Sequence, residues 1–232
     1  MSLWIKICGN TSAVDALLAV DAGADAVGFV FAASPRHVTT SEAAGIVARL
    51  PKTVETIGVF VDATVEEIYS AVRMCHLTGV QLHWEAAADM PARLKDHLGQ
   101  QLRVMRVLHF GEHVAEHTAE QVVAYEKDPN VDGLLIDSRT AAATGGTGVV
   151  YDWGLASRTV FQNARERRLV VAGGLTPGNV GEAIGALRPW GVDVVSGVEV
   201  EPGKKDPLKV REFVRRARAA EAGLLAASDQ EV

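Results

Sequence analysis

Cysteine is scarce in this 232-residue sequence: only Cys8 and Cys75 are present, and neither belongs to a C-x-x-C pair. That excludes a disulfide framework and a thiolate metal knuckle, and both residues are expected to be reduced thiols. No run of eighteen apolar residues occurs, which excludes an ordinary membrane-spanning helix. Met1-Ser2-Leu3-Trp4 enters a strand pattern without a charged leader or hydrophobic signal region, so the expected compartment is the cytoplasm. Positive charge is in deficit as well. Lys and Arg total 23 against 29 Asp and Glu, a formal charge of -6, and the pI is near 5.7. With no aromatic-basic motif either, a surface built for nucleic acid is excluded, and an anionic ligand would have to be held by local groups. Hydrophobic residues at 48% and charged residues at 22% argue against disorder and for a well-buried core.

What is present is alternation. Short β-branched runs at Leu3–Cys8, Ala26–Phe31, Glu55–Val61, Val80–His83, Leu102–Leu108, Gly133–Asp137, Leu169–Ala172 and Val192–Ser196 read as strands. Between them, Ser12–Ala22, Ser41–Leu50, Val65–Cys75, Pro91–Leu98, Trp153–Arg165, Pro177–Leu187 and Pro207–Ala220 carry helical patterns. Strand–helix alternation requires crossover connections and hence parallel strands, so the fold class is α/β: a single-domain (β/α)8 TIM barrel over residues 1–220. Residues 221–232 lack a packing pattern and are expected to form a fraying tail.

Capping signals agree with these divisions: Thr64 stands at capping-box spacing from Glu67, Thr40 or Ser41 can cap the second helix, and Thr176-Pro177 offers a cap and a first-turn proline. Gly23-Ala24-Asp25, Val131-Asp132-Gly133 and Gly191-Val192-Asp193 form an internal echo in which a helix end turns into a buried strand. The fifth crossover, Phe110–Lys127, is the weakest helix, because histidines and glutamates blur its apolar face.

In such a barrel, chemistry gathers where strands end. Side chains alternate along a strand, so in Lys6-Ile7-Cys8-Gly9 the lysine and cysteine share one face while Ile5 and Ile7 take the other. Free cysteine is often a small buried hydrophobe. Beside a cation and a glycine turn, Cys8 can instead supply a thiolate, whereas Cys75 lies on a core stripe with Ile68 and Val72. Asp137 closes an apolar strand and can act as a general acid if burial raises its pKa; a helix cap or a partner for Arg139 is the alternative. Arg36 in Ser34-Pro35-Arg36 is either a carboxylate clamp or a solvated loop cation. Arg106, His109 and His83-Trp84 also fall at strand ends. Thr144-Gly145-Gly146-Thr147-Gly148, Gly173-Gly174 and Ser196-Gly197 follow late strands; tight turns use glycine anyway, but three coincident turns describe a phosphate pocket. His113 and His117 read as a solvated face, and no metal site is expected.

These elements, Lys6-Ile7-Cys8-Gly9, Ser34-Pro35-Arg36, Val80-Gln81-Leu82-His83, Leu135-Ile136-Asp137-Ser138, Gly145-Gly146-Thr147-Gly148, Ala172-Gly173-Gly174-Leu175-Thr176-Pro177 and Ser196-Gly197-Val198-Glu199, resemble the phosphoribosylanthranilate isomerases of tryptophan biosynthesis, in order from about Leu3 to Ala219. The resemblance implies an Amadori rearrangement of N-(5'-phosphoribosyl)anthranilate with no cofactor. It implies Cys8 as base and Asp137 as acid, Arg36 on the anthranilate carboxylate, and the amides around Gly146, Gly174, Ser196 and Gly197 on the phosphate. Lys6 and His83 complete the candidate substrate-binding set. A phosphorylated small molecule is the implied partner, and the chain is a monomer or a homodimer.

Three residues depart from the pattern: Trp84 where glycine is usual, Val195 where serine is common, and Asn10 where an aliphatic residue is usual. Trp84 can narrow the site or stack on an aromatic ring. Two alternatives therefore stand beside the isomerase: a barrel that binds a phosphorylated ligand without turnover, and an isomerase with altered or dual preference for the aminoaldose of histidine biosynthesis.

Overall fold

The structure is a computed structural model that describes residues 2–83, 86–111, 114–138, 151–162 and 168–228. Its strands are β1 (Trp4–Ile7), β2 (Ala26–Val30), β3 (Glu55–Phe60), β4 (Gly79–Leu82), β5 (Arg103–Phe110), β6 (Gly133–Ser138), β7 (Leu169–Val171) and β8 (Gly191–Val194). They pair in parallel in chain order, and β1 pairs with β8 to close the barrel. The crossovers carry α1 (Ala13–Asp21), α2 (Thr40–Val47), α3 (Val65–Cys75), α4 (Met90–Leu98), α5 (Ala115–Glu126), α6 (Trp153–Ala156) and α7 (Val180–Leu187). After β8, a single 3-10 turn and the hairpin β9 (Glu199–Glu201) and β10 (Lys204–Lys205) lead into α8 (Pro207–Ser228). No described helix is long and apolar enough to cross a membrane.

Strand alternation divides the core in two. Ile5, Ile7, Val27, Phe29, Leu134 and Ile136 point outward and pack with helix residues such as Ala16, Ile68, Leu94 and Val214. Trp4, Ala26, Ile57, Met105, Leu135 and Val170 point inward and fill the lower barrel, floored by Trp190, which stacks on Trp4 with centroids 5.2 Å apart. Each fully buried aliphatic or aromatic side chain contributes roughly 1.5–3 kcal/mol. Above this apolar layer the interior turns polar, with Lys6, Gln81 and Asp193 all buried.

Local sequence signals hold in several places and are displaced in others. The capping box at Thr64 and Glu67 forms. The cap of α2 is Thr39, not Thr40 or Ser41, with Glu42 completing a second box. Asp25 and Asp132 accept backbone N–H groups of the neighbouring strands, from Ile5 at 2.8 Å and Val104 at 2.7 Å. Asp193 does not share that job: it is the third residue of β8 and points into the barrel, so the internal echo is positional only in part.

Strand β5 runs on to Phe110 because His109 and Phe110 find ladder partners in Asp137 and Ser138 of β6. The weakly patterned fifth crossover does contain a helix, α5. The sixth helical pattern becomes α6 followed by a π-helical turn over Ser157–Phe161, and residues 163–167 lie outside the described residues. Helix α7 starts at Val180, past Pro177, because Asn179 Oδ1 accepts from Thr176 N and closes a turn there. Helix α8 continues past Ala220 to Ser228, where Glu221 accepts from Leu3 N at 2.5 Å and Leu224 packs on the core, and residues 229–232 of the expected tail lie outside the described residues.

Gly28 decides whether the polar layer fits. Its position faces the barrel interior beside β1, and a β-carbon there would penetrate Cys8 Sγ and stand 3.0 Å from Lys6 Cε. A β-carbon added at Gly45, on α2, would meet nothing within 4 Å. Gly28→Ala is expected to lower unfolding free energy by about 1–3 kcal/mol through overpacking, while Gly45→Ala raises it by up to about 1 kcal/mol through helix propensity. Urea denaturation of both variants checks the contrast.

Candidate active site

The C-terminal ends of the strands surround a cavity of about 1010 Å³ whose lining includes Cys8, Arg36, His83, His109, Asp137, Gly173, Gly174, Asp193 and Ser196. A cavity of similar size, about 1030 Å³, opens beside Trp190 at the opposite end. Its lining residues include Arg168 and Glu221 but none of the strand-end groups, so the chemistry belongs to the first.

One half of the site is built on Lys6. Its side chain is fully buried, and the ammonium stands 3.0 Å from Asp193 Oδ1 and donates to Gln81 Oε1 at 2.9 Å. Burial alone would lower its pKa; the Asp193 carboxylate and the neighbouring Cys8 more than offset this and hold it above the usual lysine value. Lys6 therefore lies beneath the cavity wall and does not line it. Cys8, just beyond β1, is buried at the rim. Burial pushes its thiol up, and Lys6 pulls it back only in part while Asp193 adds to the rise.

The Cys8 carbonyl is gripped by Lys205 Nζ at 2.6 Å, and Lys205 also pairs with Glu199 at 3.0 Å. Asn10 is buried, its amide donating to Ile7 O at 2.8 Å and Gly28 O at 3.2 Å, so this departure from the pattern fastens the end of β1 to β2. Gly9, at φ 71°, lets the chain turn there, where a β-carbon would stand 2.8 Å from Arg36 Cδ. Arg36 lines the cavity with Nε and Nη2 turned onto Glu199, the closest contact being 2.7 Å. Its described contacts leave Nη1 for another anion.

The other half is built on β5 and β6. Register places Asp137 beside His109. Burial, then the Asp193 charge, raise the Asp137 pKa to about 7, with a Ser138 backbone hydrogen bond opposing them. Gly173 makes room for that carboxyl: a β-carbon would stand 2.7 Å from Asp137 Oδ1. His83 Nε2 lies 3.9 Å from Asp137 Oδ2, and its ring centroid is 5.4 Å from that of His109. Burial, followed by His109 and Lys6, lowers the His83 pKa to about 4, so it is neutral at pH 7.

His83, His109 and Asp137 offer ligand atoms within 4.8 Å of one another, the composition of a borderline-metal site. The wiring runs the other way, however. Metal-binding histidines donate their second ring N–H outward, whereas the Gln81 amide, 3.4 Å away, donates into Nδ1 of His83 and leaves the proton on Nε2.

On the phosphate side, Gly173 and Gly174 have φ of 79° and 65°, and with Ser196 they line the cavity. Gly197 is packed against the Leu175 carbonyl, leaving no space for a side chain. Gly146, Arg139 and Trp84 lie outside the described residues. Arg106 is not at the site: it turns away to hold the carbonyls of Ala86 at 3.0 Å and Ala87 at 2.8 Å. Sequence reasoning missed Gln81, Asp193, Glu199 and Lys205. For Gln81 and Asp193 the available signal was a polar residue on the inward face of an apolar strand.

The sequence model described as N-(5'phosphoribosyl)anthranilate (PRA) isomerase matches residues 5–216. The chain is 44% identical over 215 residues to the N-(5'-phosphoribosyl)anthranilate isomerase of Pelobacter propionicus, spanning 92% of this chain and 95% of that protein. It is 42% identical over 217 residues to that of Trichlorobacter lovleyi, spanning 93% and 98%. The crystal structure of phosphoribosyl anthranilate isomerase from Thermotoga maritima superposes with a TM-score of 0.82 at 34% identity, covering 94% of this chain and 100% of that one. A crystal structure of a phosphoribosyl anthranilate isomerase in complex with reduced 1-(o-carboxyphenylamino)-1-deoxyribulose 5-phosphate gives a TM-score of 0.79 at 33% identity, with the same coverage.

The Asp137 pKa carries a stability consequence. Between the ordinary 3.8 and about 7 the folded protein holds this proton and the unfolded chain does not, so the contribution to stability falls as pH rises through that window. Relative to Asp137→Asn, the parent is expected to lose up to about 1.4 kcal/mol per pH unit across it, measured by denaturation at a series of pH values.

Proposed function

This chain belongs to the N-(5'-phosphoribosyl)anthranilate isomerase family, and we infer from that membership that its barrel mouth isomerises N-(5'-phosphoribosyl)anthranilate to 1-(o-carboxyphenylamino)-1-deoxyribulose 5-phosphate, a step of tryptophan biosynthesis. The observation that carries the division of labour is the pair of unlike groups on one cavity: a carboxyl with a pKa of about 7 at Asp137 and a thiol beside a buried ammonium at Cys8.

In this reading protonated Asp137 gives its proton to the furanose ring oxygen. The C1'–O bond breaks as the anilino nitrogen forms the iminium, and Asp137 is left as a carboxylate. Cys8, as thiolate, removes the C2' proton, and the C2'–H electrons neutralise the iminium to an enolamine. Transfer of the enol proton to C1' gives the ketone, and the two groups exchange their protons with solvent. An iminium acidifies the neighbouring carbon, so a modest base suffices, while ring opening needs a donor near neutrality.

Arg36 takes the anthranilate carboxylate through Nη1, while Nε and Nη2 are turned onto Glu199. Backbone amides around Gly174, Ser196 and Gly197, with Gly146, take the phosphate. All of these groups belong to one chain, which accords with a monomer or a homodimer. A working thiol in the site accords with the reducing cytoplasm. Lys6 serves as the cation beneath the base.

Steady-state assay of fluorescent substrate consumption tests the reading. Cys8→Ser and Asp137→Asn are expected to lower kcat by about 10²–10⁴-fold, and Arg36→Met to raise KM far more than it lowers kcat. Parent-like kcat in both acid and base variants overturns it and leaves the barrel a ligand-binding protein. The kcat/KM profile is expected to rise with pH to a break near 7, set by Asp137, and to fall only above the ordinary thiol range. Asp137→Asn removes the lower break.

A further inference from the structure

The polar layer under the site is wired in one direction. Lys6 is a donor only, so its contact at 2.9 Å fixes Oε1 of Gln81 toward β1 and turns the Gln81 Nε2–H2 group toward β4's end. There it meets Nδ1 of His83 at 3.4 Å. An amide N–H can only donate, so Nδ1 is the acceptor, and the neutral imidazole carries its hydrogen on Nε2. That atom is buried, has no hydrogen-bond partner among the described residues, and faces Asp137 Oδ2 at 3.9 Å. Separations of this size tighten to hydrogen bonds when catalytic groups meet their substrate.

We propose that Gln81 is a positioning residue for the isomerisation: relaying the polarity of Lys6, it locks His83 in the Nε2–H tautomer, so that His83 can donate to the Asp137 carboxylate but cannot accept the proton that Asp137 must deliver. The chemistry of the two tautomers is opposite. With hydrogen on Nε2, His83 leaves the acid proton free for the furanose oxygen and then donates to the carboxylate that remains. With a lone pair on Nε2, it would accept a hydrogen bond from protonated Asp137 and hold that proton away from the substrate. The chain Lys6, Gln81, His83, Asp137 thus joins the cation beneath the base to the acid across the barrel. This proposal rests on the reading of Asp137 as general acid.

Two variants separate the tautomer from mere packing. Gln81→Glu keeps the acceptor for Lys6 but presents a second acceptor to His83, which inverts the ring to Nδ1–H. Gln81→Met keeps the volume and removes both contacts, adding no charge. The ring nitrogens of His83 are read by ¹⁵N NMR at pH 7 without substrate, with His83→Asn identifying the signal, and kcat and KM are measured on the same preparations. The parent is expected to show protonated Nε2 and bare Nδ1. Gln81→Glu is expected to show the reverse and a kcat roughly 10- to 100-fold lower, with KM changed by less than about threefold. Gln81→Met is expected to show mixed tautomers and an intermediate kcat, and it decides the matter alone if Gln81→Glu does not fold.

A parent with hydrogen on Nδ1 overturns the proposal, as does a tautomer-switched variant whose kcat stays within about twofold of the parent. Failure of the isomerase reading has a different signature: the parent turns over no phosphoribosylanthranilate, whatever tautomer His83 shows.

Discussion

The site depends on one ammonium group with no access to water. Lys6 is fully buried in the barrel, and a charge in that position persists only if paired and hydrogen-bonded. Asp193 neutralises it at 3.0 Å, Gln81 takes a second donor, and Cys8 lies close enough to raise its pKa. Removing one member of such a pair commonly costs about 3–5 kcal/mol. Everything else in the polar layer accommodates this group. Gly28 supplies the empty volume, and the registers of β1 with β2 and β8 bring Ala26 and Asp193 to its level.

From that centre the two halves acquire opposite character. The base half is cationic and tightly tied: Lys205 holds the Cys8 backbone, Glu199 holds Lys205 and Arg36, and Asn10 fastens the strand end. The acid half lies against the neutral imidazole of His83, and burial keeps the Asp137 carboxyl protonated into the neutral range. Asp193 serves both halves. It stabilises the charge on Lys6, and its own charge disfavours ionisation of Asp137. An overall acidic protein can thus meet a substrate that carries both a phosphate and a carboxylate with a few fixed cations and backbone amides instead of a basic surface.

Much of the architecture was legible in the sequence because strand alternation and crossover length are local properties. Eight strands came at the expected places, and the inward set of β1 followed from period two alone. The errors lie where a partner decides. Strand β5 is longer than its apolar run because β6 offers ladder partners, and α8 is longer because Glu221 and Leu224 reach the N-terminal strand and the core. Asp193 resembled Asp25 and Asp132 in sequence, but strand pairing set it inside the barrel.

Covalent order alone specifies the alternating strands and helices, the inward face that carries Lys6 and Cys8, and the glycines that follow the late strands. These follow from covalent order and side-chain period, which need no knowledge of neighbours. Which groups are charged, and which hydrogen bonds orient them, depends on the closed barrel. Burial and register turned Asp137 into an acid near neutrality, moved Lys6 out of the cavity wall, and placed Gln81 between Lys6 and His83. Those properties arise from desolvation and from contacts between strands 75 residues apart, such as Lys6 with Gln81, and appear only when the barrel closes.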